Sequence, residues 1–243
     1  MYSYSVCFTT YNTADTIGIF LTSILTLPEE FEIIMVDNFS KDDTVQIARQ
    51  MGNGRILIHQ ETCKIGRGRQ IAINISSGET IIQVDADVIY HALPELVKTF
   101  ERDYGDKIVK MSYADKNGNG NFTIGKRELF KKVGGYANLN FLEDVHLYKR
   151  CESIGTFTEV RLKPGMTEPI ARTIKHSQIE SRFEKNYLRL LRRKILNIRD
   201  IIYVENLSFL EFVKWYNHKG LKILAVGLPE YVIGRILFLT LDL

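Results

Sequence analysis

The sequence predicts an α/β fold in which helices cover a largely parallel β-sheet. Predicted strands and helices alternate along the first half of the chain, and this alternation is typical of such folds. The segment FEIIMV is an almost continuous apolar run, as expected for a strand buried on both faces. The 243 residues are 45% hydrophobic and 25% charged, which is the composition of a globular protein and excludes disordered, collagen-like and coiled-coil chains.

The first four strands are predicted from short β-rich or apolar runs, and the helices from apolar residues spaced three and four positions apart. Ser40 is the predicted N-cap of the second helix, because Asp42 and Asp43 follow it and acidic residues stabilise the positive end of a helix. The predicted strands are YSVCFTT, FEIIMV, RILIHQ and ETIIQVDADV. The predicted helices span residues 16–27, 40–51, 67–76 and 93–104.

The middle of the chain continues this pattern. KIVKMSYA is predicted as a strand, and KNGNGN as a loop because Gly and Asn tolerate positive φ. A strand end and a short helix follow, and the helix is expected to stop at Gly134 and Gly135. We then expect a helix over residues 143–154, a strand over 156–162 and a loop at KPGMTEP.

The last part of the chain is predicted to form long amphipathic helices. Apolar residues from Ile179 to Ile198 recur on one helical face, and residues 221–243 are still more apolar. Pro229 and the charged residues Lys222, Glu230 and Arg235 interrupt that last stretch, so it does not predict a membrane span. We therefore expect two regions, an α/β domain over residues 1–176 and a basic and apolar helical extension over residues 177–243.

The net charge of +3 is unevenly distributed. The segment from Arg172 to Arg199 contains nine Lys and Arg residues and only two Glu residues, so its net charge is +7 and that of the rest of the chain is −4. Such a basic segment is expected to face an anionic partner, and its aromatic and apolar surroundings favour an anionic membrane surface. Packing on the core and homodimer formation remain open alternatives. Nucleic acid is disfavoured because no known reader motif accompanies the basic segment.

Two further features bear on the cellular compartment. The chain contains three widely spaced cysteines, without a metal-binding or paired pattern, and such cysteines are typical of reduced thiols. The N-terminal segment MYSYSVCFTTYN does not resemble a secretory signal. A cytoplasmic protein, or one peripheral on the cytoplasmic face of the membrane, is expected.

The sequence VDADV is the strongest candidate for a functional motif. Asp85 and Asp87 follow an apolar run, and alternate residues of a strand point the same way. Two carboxylates at the carboxyl end of a strand in an open α/β sheet predict a Mg²⁺ or Mn²⁺ site beside substrate phosphates. A solvated acidic loop is the alternative, and it remains open from these residues alone.

Other polar motifs are individually ambiguous. Glu143 and Asp144, in FLEDVH, include a candidate general base, but acidic residues are also favoured at a helix N-terminus. Asp37 could bind a base or ribose, or form a turn. Gly66 and Gly68 could let the backbone approach a ligand, and the basic residues around them could bind phosphate (Lys64, Arg67 and Arg69). Neither a Walker loop nor a GxGxxG fingerprint is present. His176 is either structural or a metal ligand.

The order of these motifs is more specific than any one of them. TTYN, VDNFSKDDT, GRGRQIAINISSGETIIQVDADV and VGGYANLNFLEDVHLYKR resemble, in that order, the motifs of family 2 glycosyltransferases. The resemblance covers residues 3–176. It implies the GT-A type of Rossmann-like α/β/α sandwich, with a mostly parallel sheet, a nucleotide-diphosphate-sugar donor, Mn²⁺ or Mg²⁺, and an inverting transfer.

The resemblance also implies roles for particular residues. Asp144 matches the catalytic base, with Glu143 beside it, and Arg150 matches an arginine of the following helix. The donor-binding positions are Thr9, Tyr11, Asn12, Asp37 near the base, Gly66, Arg69, Asp85 and Ala86. The metal ligands are Asp87, Asp85 and His176. The sequence departs from the family pattern at Thr13, at Asn38-Phe39 and at Gln70.

These observations predict a metal-dependent inverting glycosyltransferase. Its donor is expected to be a UDP- or GDP-sugar, and its acceptor a glycan or a lipid-linked molecule. A sugar-phosphate nucleotidyltransferase is the first alternative, but TTYNTAD has no Lys or Arg to bind a triphosphate near the first strand. A non-catalytic nucleotide-sugar-binding protein is the second.

Overall fold

The computed structural model describes residues 2–115 and 118–170 together with Asp200 and Tyr203. The described residues divide into two compact units, one with residues 2–138 and 146–170, the other with 139–145, Asp200 and Tyr203. The predicted C-terminal helices lie outside the described residues. The elements are β1 (Tyr4–Thr10), α1 (Ala14–Ile24), β2 (Phe31–Asp37), α2 (Thr44–Gly52), β3 (Ile56–Gln60), α3 (Ile65–Ile75), β4 (Thr80–Gln83), β5 (Val88–Tyr90), α4 (Leu93–Asp103), β6 (Ile108–Asp115), β7 (Gly118–Lys126), α5 (Arg127–Lys132), α6 (Glu143–Ser153), β8 (Phe157–Arg161) and β9 (Thr167–Pro169).

The central sheet contains seven strands in the order β3-β2-β1-β4-β7-β6-β8. Strands β3, β2, β1 and β4 are parallel to one another, whereas β7 is antiparallel to both of its neighbours. Strand β8 pairs in parallel with β6. The prediction of an α/β fold with a mostly parallel sheet is therefore confirmed.

Side-chain alternation along the strands divides the core into two layers. In β1, Phe8 belongs to the apolar cluster that includes residues of α1, α2 and α4. Its neighbour Cys7 belongs to a second cluster, which includes residues of α3, α5 and α6. Both faces of β1 and β2 are thus covered by helices, and this explains why FEIIMV is apolar at almost every position.

The structure corrects four local predictions. Helix α2 begins at Thr44 with Asp43 as its N-cap, so Ser40 is not the cap. The strand predicted over ETIIQVDADV ends at Gln83, and its last residue starts the separate strand β5. The predicted loop KPGMTEP contains β9, which pairs antiparallel with β5. Strand β7 begins at Gly118, inside the predicted KNGNGN loop.

Within residues 2–115 and 118–170, no helix has the length and apolar character that a membrane crossing requires. The apolar residues 221–243 lie outside the described part of the chain.

Candidate active site

The carboxyl ends of the parallel strands bring most of the predicted donor-binding residues to one edge of the sheet. Strands β1, β2 and β3 are in register at Thr10, Asp37 and Gln60, so these residues form a row across the edge. The loops that follow the strands carry Tyr11, Asn12 and the DxD sequence. Open α/β sheets bind their ligands at this edge.

The loops after β1 and β2 are joined by hydrogen bonds through Asn12. Its amide oxygen accepts a bond of 2.7 Å from the backbone N–H of Lys41, and its backbone N–H donates to Ser40 Oγ at 2.8 Å. Asn12 has a φ of 52°, in the left-handed region that Asn tolerates better than most residues. Thr9 is half-buried at the end of β1, and the side chain of Tyr11 is exposed.

Asp37 lies at the centre of these loops and has no exposed surface. Its Oδ1 accepts bonds from Thr10 Oγ1 at 2.9 Å and Ser40 Oγ at 2.5 Å. Its Oδ2 accepts bonds from the backbone N–H of Ser40 at 2.9 Å and from Gln60 Nε2 at 3.1 Å. A carboxylate has about four acceptor positions, and the protein fills all of them. Asp37 therefore supports the loops, and its contact with a base stays a prediction.

The two glycines in the first turns of α3 are both buried. A Cβ atom on Gly68 would lie 2.9 Å from Thr9 Cγ2 and 3.2 Å from Cys63 Sγ. Gly68 therefore allows α3 to pack closely against the end of β1, because a larger residue would push the helix away. Gly66, the predicted donor-binding glycine, lies in the first turn of the same helix.

Arg69, from the same helix, binds the first residue of the DxD sequence. Its Nη2 lies 2.9 Å from Asp85 Oδ1, and only 12% of its side chain is exposed. The guanidinium carbon lies 5.6 Å from the ring centroid of Tyr136, within the range of a cation–π contact. The planar group of Arg69 is thus held between a carboxylate and an aromatic ring.

The DxD sequence lies in a turn between β4 and β5 instead of on a strand. The backbone N–H of Asp85 donates to Tyr90 Oη at 3.0 Å, and the carbonyl of Asp87 accepts from the N–H of Ile170 at 2.8 Å. Burial raises the pKa of Tyr90 well above its usual value, and the nearby charge of Asp85 raises it further. Tyr90 therefore stays a neutral phenol that supports the turn.

The residues of this turn fit a divalent cation. Asp85 and Asp87 are half-buried carboxylates separated by one residue, and carboxylate oxygens suit Mg²⁺ and Mn²⁺. Arg69 binds Asp85 Oδ1, and the assignment of Asp87 and Asp85 as metal ligands stays a prediction. Ala86, between them, is buried. Over the part of the chain that the structure describes, three or more His, Cys, Asp or Glu residues do not gather into a metal-binding group. The third predicted ligand, His176, lies outside that part.

A second set of contacts, which sequence reasoning missed, holds Tyr136 in place. Gln70 Oε1 accepts a bond of 2.7 Å from the Tyr136 N–H. A Cβ atom on Gly135, whose φ is 64°, would lie 1.9 Å from that oxygen, so glycine is required here. The guanidinium of Arg150 donates to the carbonyls of Val133 and Gly135. The two glycines of VGGY predicted the end of the preceding helix, but they did not predict the contacts with Gln70 and Arg150.

Glu143 and Asp144 lie in the first turn of α6 and belong to the unit that contains residues 139–145. Asp144 Oδ1 accepts a bond of 2.8 Å from the N–H of Val145, and Glu143 is buried with 7% exposure. The preceding residue, Leu142, has a φ of 59°. Acidic residues are favoured at a helix N-terminus, so the position fits a cap as well as the predicted base.

Comparison with known proteins identifies the family. The model of "Glycosyl transferase family 2" matches residues 5–157, more than half of the chain. The chain belongs to this family. A curated relative, the Mycobacterium tuberculosis protein MT1568, is 33% identical over 115 residues. That match covers 46% of this chain and 35% of the relative, so the chain spans about a third of the relative's length.

Solved structures resemble this family 2 member over most of its length. TarS 1-349 of S. aureus, in complex with UDP-GlcNAc, has a TM-score of 0.67 at 19% identity and covers 96% of this chain and 79% of its own. The mannosyltransferase PcManGT of Pyrobaculum calidifontis, in complex with GDP-Man and Mn²⁺, has a TM-score of 0.60 at 17% identity, with coverages of 96% and 73%. Glucosyl-3-phosphoglycerate synthase of M. tuberculosis, in complex with Mn²⁺, UDP and glucosyl-3-phosphoglycerate, has a TM-score of 0.61 at 18% identity, with coverages of 85% and 81%. These likenesses show the GT-A fold.

Proposed function

We propose that this chain is a metal-dependent inverting glycosyltransferase, which moves a sugar from a nucleotide-diphosphate-sugar to an acceptor hydroxyl. The observation that carries the proposal is the ion pair of Arg69, whose side chain is 12% exposed, with Asp85 of the DxD turn in a member of glycosyl transferase family 2. A UDP- or GDP-sugar is the proposed donor, and a glycan or lipid-linked molecule the proposed acceptor. Solved structures of the same fold contain UDP-GlcNAc and GDP-Man, which supports the donor class.

On the donor side, the protein binds and orients the nucleotide diphosphate. Thr9, Tyr11 and Asn12 are proposed to border the nucleotide, and Gly66 and Arg69 to lie along the diphosphate. Asp87, with Asp85 and His176, would hold Mn²⁺ or Mg²⁺, which when bound neutralises negative charge on the departing diphosphate. By keeping Asp85 in one orientation, Arg69 preorganises this side of the site.

On the acceptor side, Asp144 is the proposed general base. Its carboxylate accepts the proton of the acceptor hydroxyl while the oxygen attacks the anomeric carbon, and the bond to the diphosphate breaks on the opposite face. A single displacement of this kind inverts the anomeric centre, whereas retention by double displacement would need a second carboxylate as nucleophile. Glu143 is proposed to support Asp144.

We propose that the protein is cytoplasmic, or peripheral on the cytoplasmic face of the membrane, where residues 177–243 would bind an anionic surface. The three widely spaced cysteines support the compartment. The excess of Lys and Arg between Arg172 and Arg199 supports the membrane surface. Such binding would bring the site close to a lipid-linked acceptor.

Ligand-induced stabilisation tests the donor class. A ligand that binds only the folded state at about 100 times its Kd should raise the Tm by about 5–10 °C. We expect this shift with one UDP- or GDP-sugar, and only in the presence of Mn²⁺ or Mg²⁺. Stabilisation by a nucleoside triphosphate and a sugar phosphate instead would favour the nucleotidyltransferase. If the protein bound the donor but neither transferred its sugar nor hydrolysed it, a non-catalytic binding protein would be favoured.

Replacing Arg69 with lysine should weaken donor binding about tenfold. Lysine keeps the charge but loses the planar group that lies against Tyr136 and binds Asp85, and a hydrogen bond between charged groups is worth about 1.5–3 kcal/mol. Calorimetric titration with the donor would measure the effect. The matched control is Arg102→Lys, at an exposed arginine that pairs with Asp103 on the surface. Equal donor affinities in the two variants would contradict the role of Arg69.

A further inference from the structure

The loop that leads into α6 is held by a residue far along the chain. Asp200 Oδ2 accepts a bond of 2.7 Å from the backbone N–H of Asn140 and one of 3.1 Å from that of Phe141. Asp200 has no exposed surface. All three residues belong to the same compact unit as Glu143 and Asp144. Asp200 lies beyond residues 5–157, which the family model matches.

These two hydrogen bonds fix the backbone at the point where it turns into the helix. Bonds from backbone N–H groups to an ionised carboxylate are shorter and stronger than bonds between neutral groups. The next residue, Leu142, has a φ of 59°, a conformation that is unfavourable for a bulky side chain. Such a conformation persists only when the surrounding structure holds it in place. The two hydrogen bonds to Asp200 hold the backbone in place immediately before Leu142.

We propose that Asp200 is a positioning residue for the general base. By binding the N–H groups of residues 140 and 141, it maintains the turn at Leu142 and so sets the direction in which the first turn of α6 presents Asp144. This inference rests on the proposed function, in which Asp144 accepts the acceptor proton. A displacement of about 1 Å can cost a factor of about 100 in rate, so loss of this support should affect catalysis.

The test compares Asp200→Ala and Asp200→Asn with the wild-type protein. For each, kcat, the KM for the donor and the Tm are measured on the full chain with Mn²⁺. We expect Asp200→Ala to lower kcat by about 10- to 100-fold with the donor KM within about twofold of wild type. Asparagine keeps an acceptor oxygen that can bind both N–H groups, so Asp200→Asn should recover most of the lost kcat.

The matched control for a purely structural effect is Glu32→Ala. Glu32 is also a carboxylate that binds two consecutive backbone N–H groups, those of Ser77 and Gly78, but it lies at the start of β2. We expect this variant to lower the Tm while kcat stays within about twofold of wild type. The inference would be overturned if Glu32→Ala and Asp200→Ala lowered the Tm equally and also lowered kcat equally. Both residues would then act only on stability.

Two other outcomes separate this inference from the proposed function. If the wild-type protein transfers or hydrolyses no sugar nucleotide, the proposed function fails. If the wild type is active and Asp200→Ala retains its kcat, the proposed function stands and the positioning role of Asp200 is wrong. A rise in donor KM with kcat unchanged would also contradict the inference, because it would assign Asp200 to donor binding.

Discussion

Replacement of Asp144 by asparagine should lower kcat by about 10²- to 10⁴-fold, the usual contribution of a general base. Asparagine has nearly the same shape, and its amide oxygen can still accept the bond from the N–H of Val145, so the start of α6 is retained. What is lost is the capacity to accept the proton of the acceptor hydroxyl. Because Asp144 acts on the acceptor, the affinity for the donor should remain within about twofold of wild type.

Initial-rate measurements of transfer, paired with calorimetric titration of the donor, would check this expectation. Glu152→Gln is the matched control, since it exchanges an exposed carboxylate of the same helix for an amide and should leave kcat unchanged. Full activity of Asp144→Asn would exclude Asp144 as the base. The neighbouring Glu143 would then be the next residue to replace.

Replacement of Asp87 by asparagine should reduce kcat/KM by about 10³-fold. A bound divalent cation contributes several kcal/mol to the stabilisation of developing charge, and each 1.36 kcal/mol corresponds to about a factor of ten. A neutral amide is a weaker ligand for Mg²⁺ or Mn²⁺ than a carboxylate. Stabilisation of the protein by the donor should therefore lose its dependence on Mn²⁺.

Calorimetric titration of Mn²⁺ in the presence of UDP, together with transfer rates, would test the role of Asp87. The matched control is Asp106→Asn, at a carboxylate whose side chain is 78% exposed. If Asp87→Asn bound Mn²⁺ with the wild-type affinity, the proposed ligand would be wrong. Loss of Mn²⁺ binding with unchanged transfer would instead contradict metal dependence.

Much of the fold was predictable because its signals are local. The apolar run of β2 and the apolar spacing of α1 and α4 depend only on neighbouring residues. The DxD turn was different, because ETIIQVDADV looks like one continuous strand. Pairing of β5 with β9, about 80 residues later in the chain, ends that strand early, and such pairing leaves no signal within ten residues.

The sequence predicted which residue types form the candidate site, but it did not predict most of the hydrogen bonds between them. The order of the motifs identified the family and named Asp37, Asp85, Asp87 and Asp144 as the carboxylates of interest. It did not indicate that the carboxylate of Asp37 accepts hydrogen bonds from two other strands and from the loop that follows its own strand. Nor did it indicate that Asp200, 59 residues after Phe141, binds the loop before the candidate base.

By itself, the sequence determined the strand–helix alternation, the family and the chemical groups available for catalysis, because these follow from periodicity, composition and motif order along the chain. The tertiary structure decided which groups contact each carboxylate. These contacts are hydrogen bonds between residues far apart in sequence: Arg69 with Asp85, Gln60 with Asp37, and Asp200 with the turn before α6. A carboxylate's role is set by the donors around it, and those donors come together only when the chain folds.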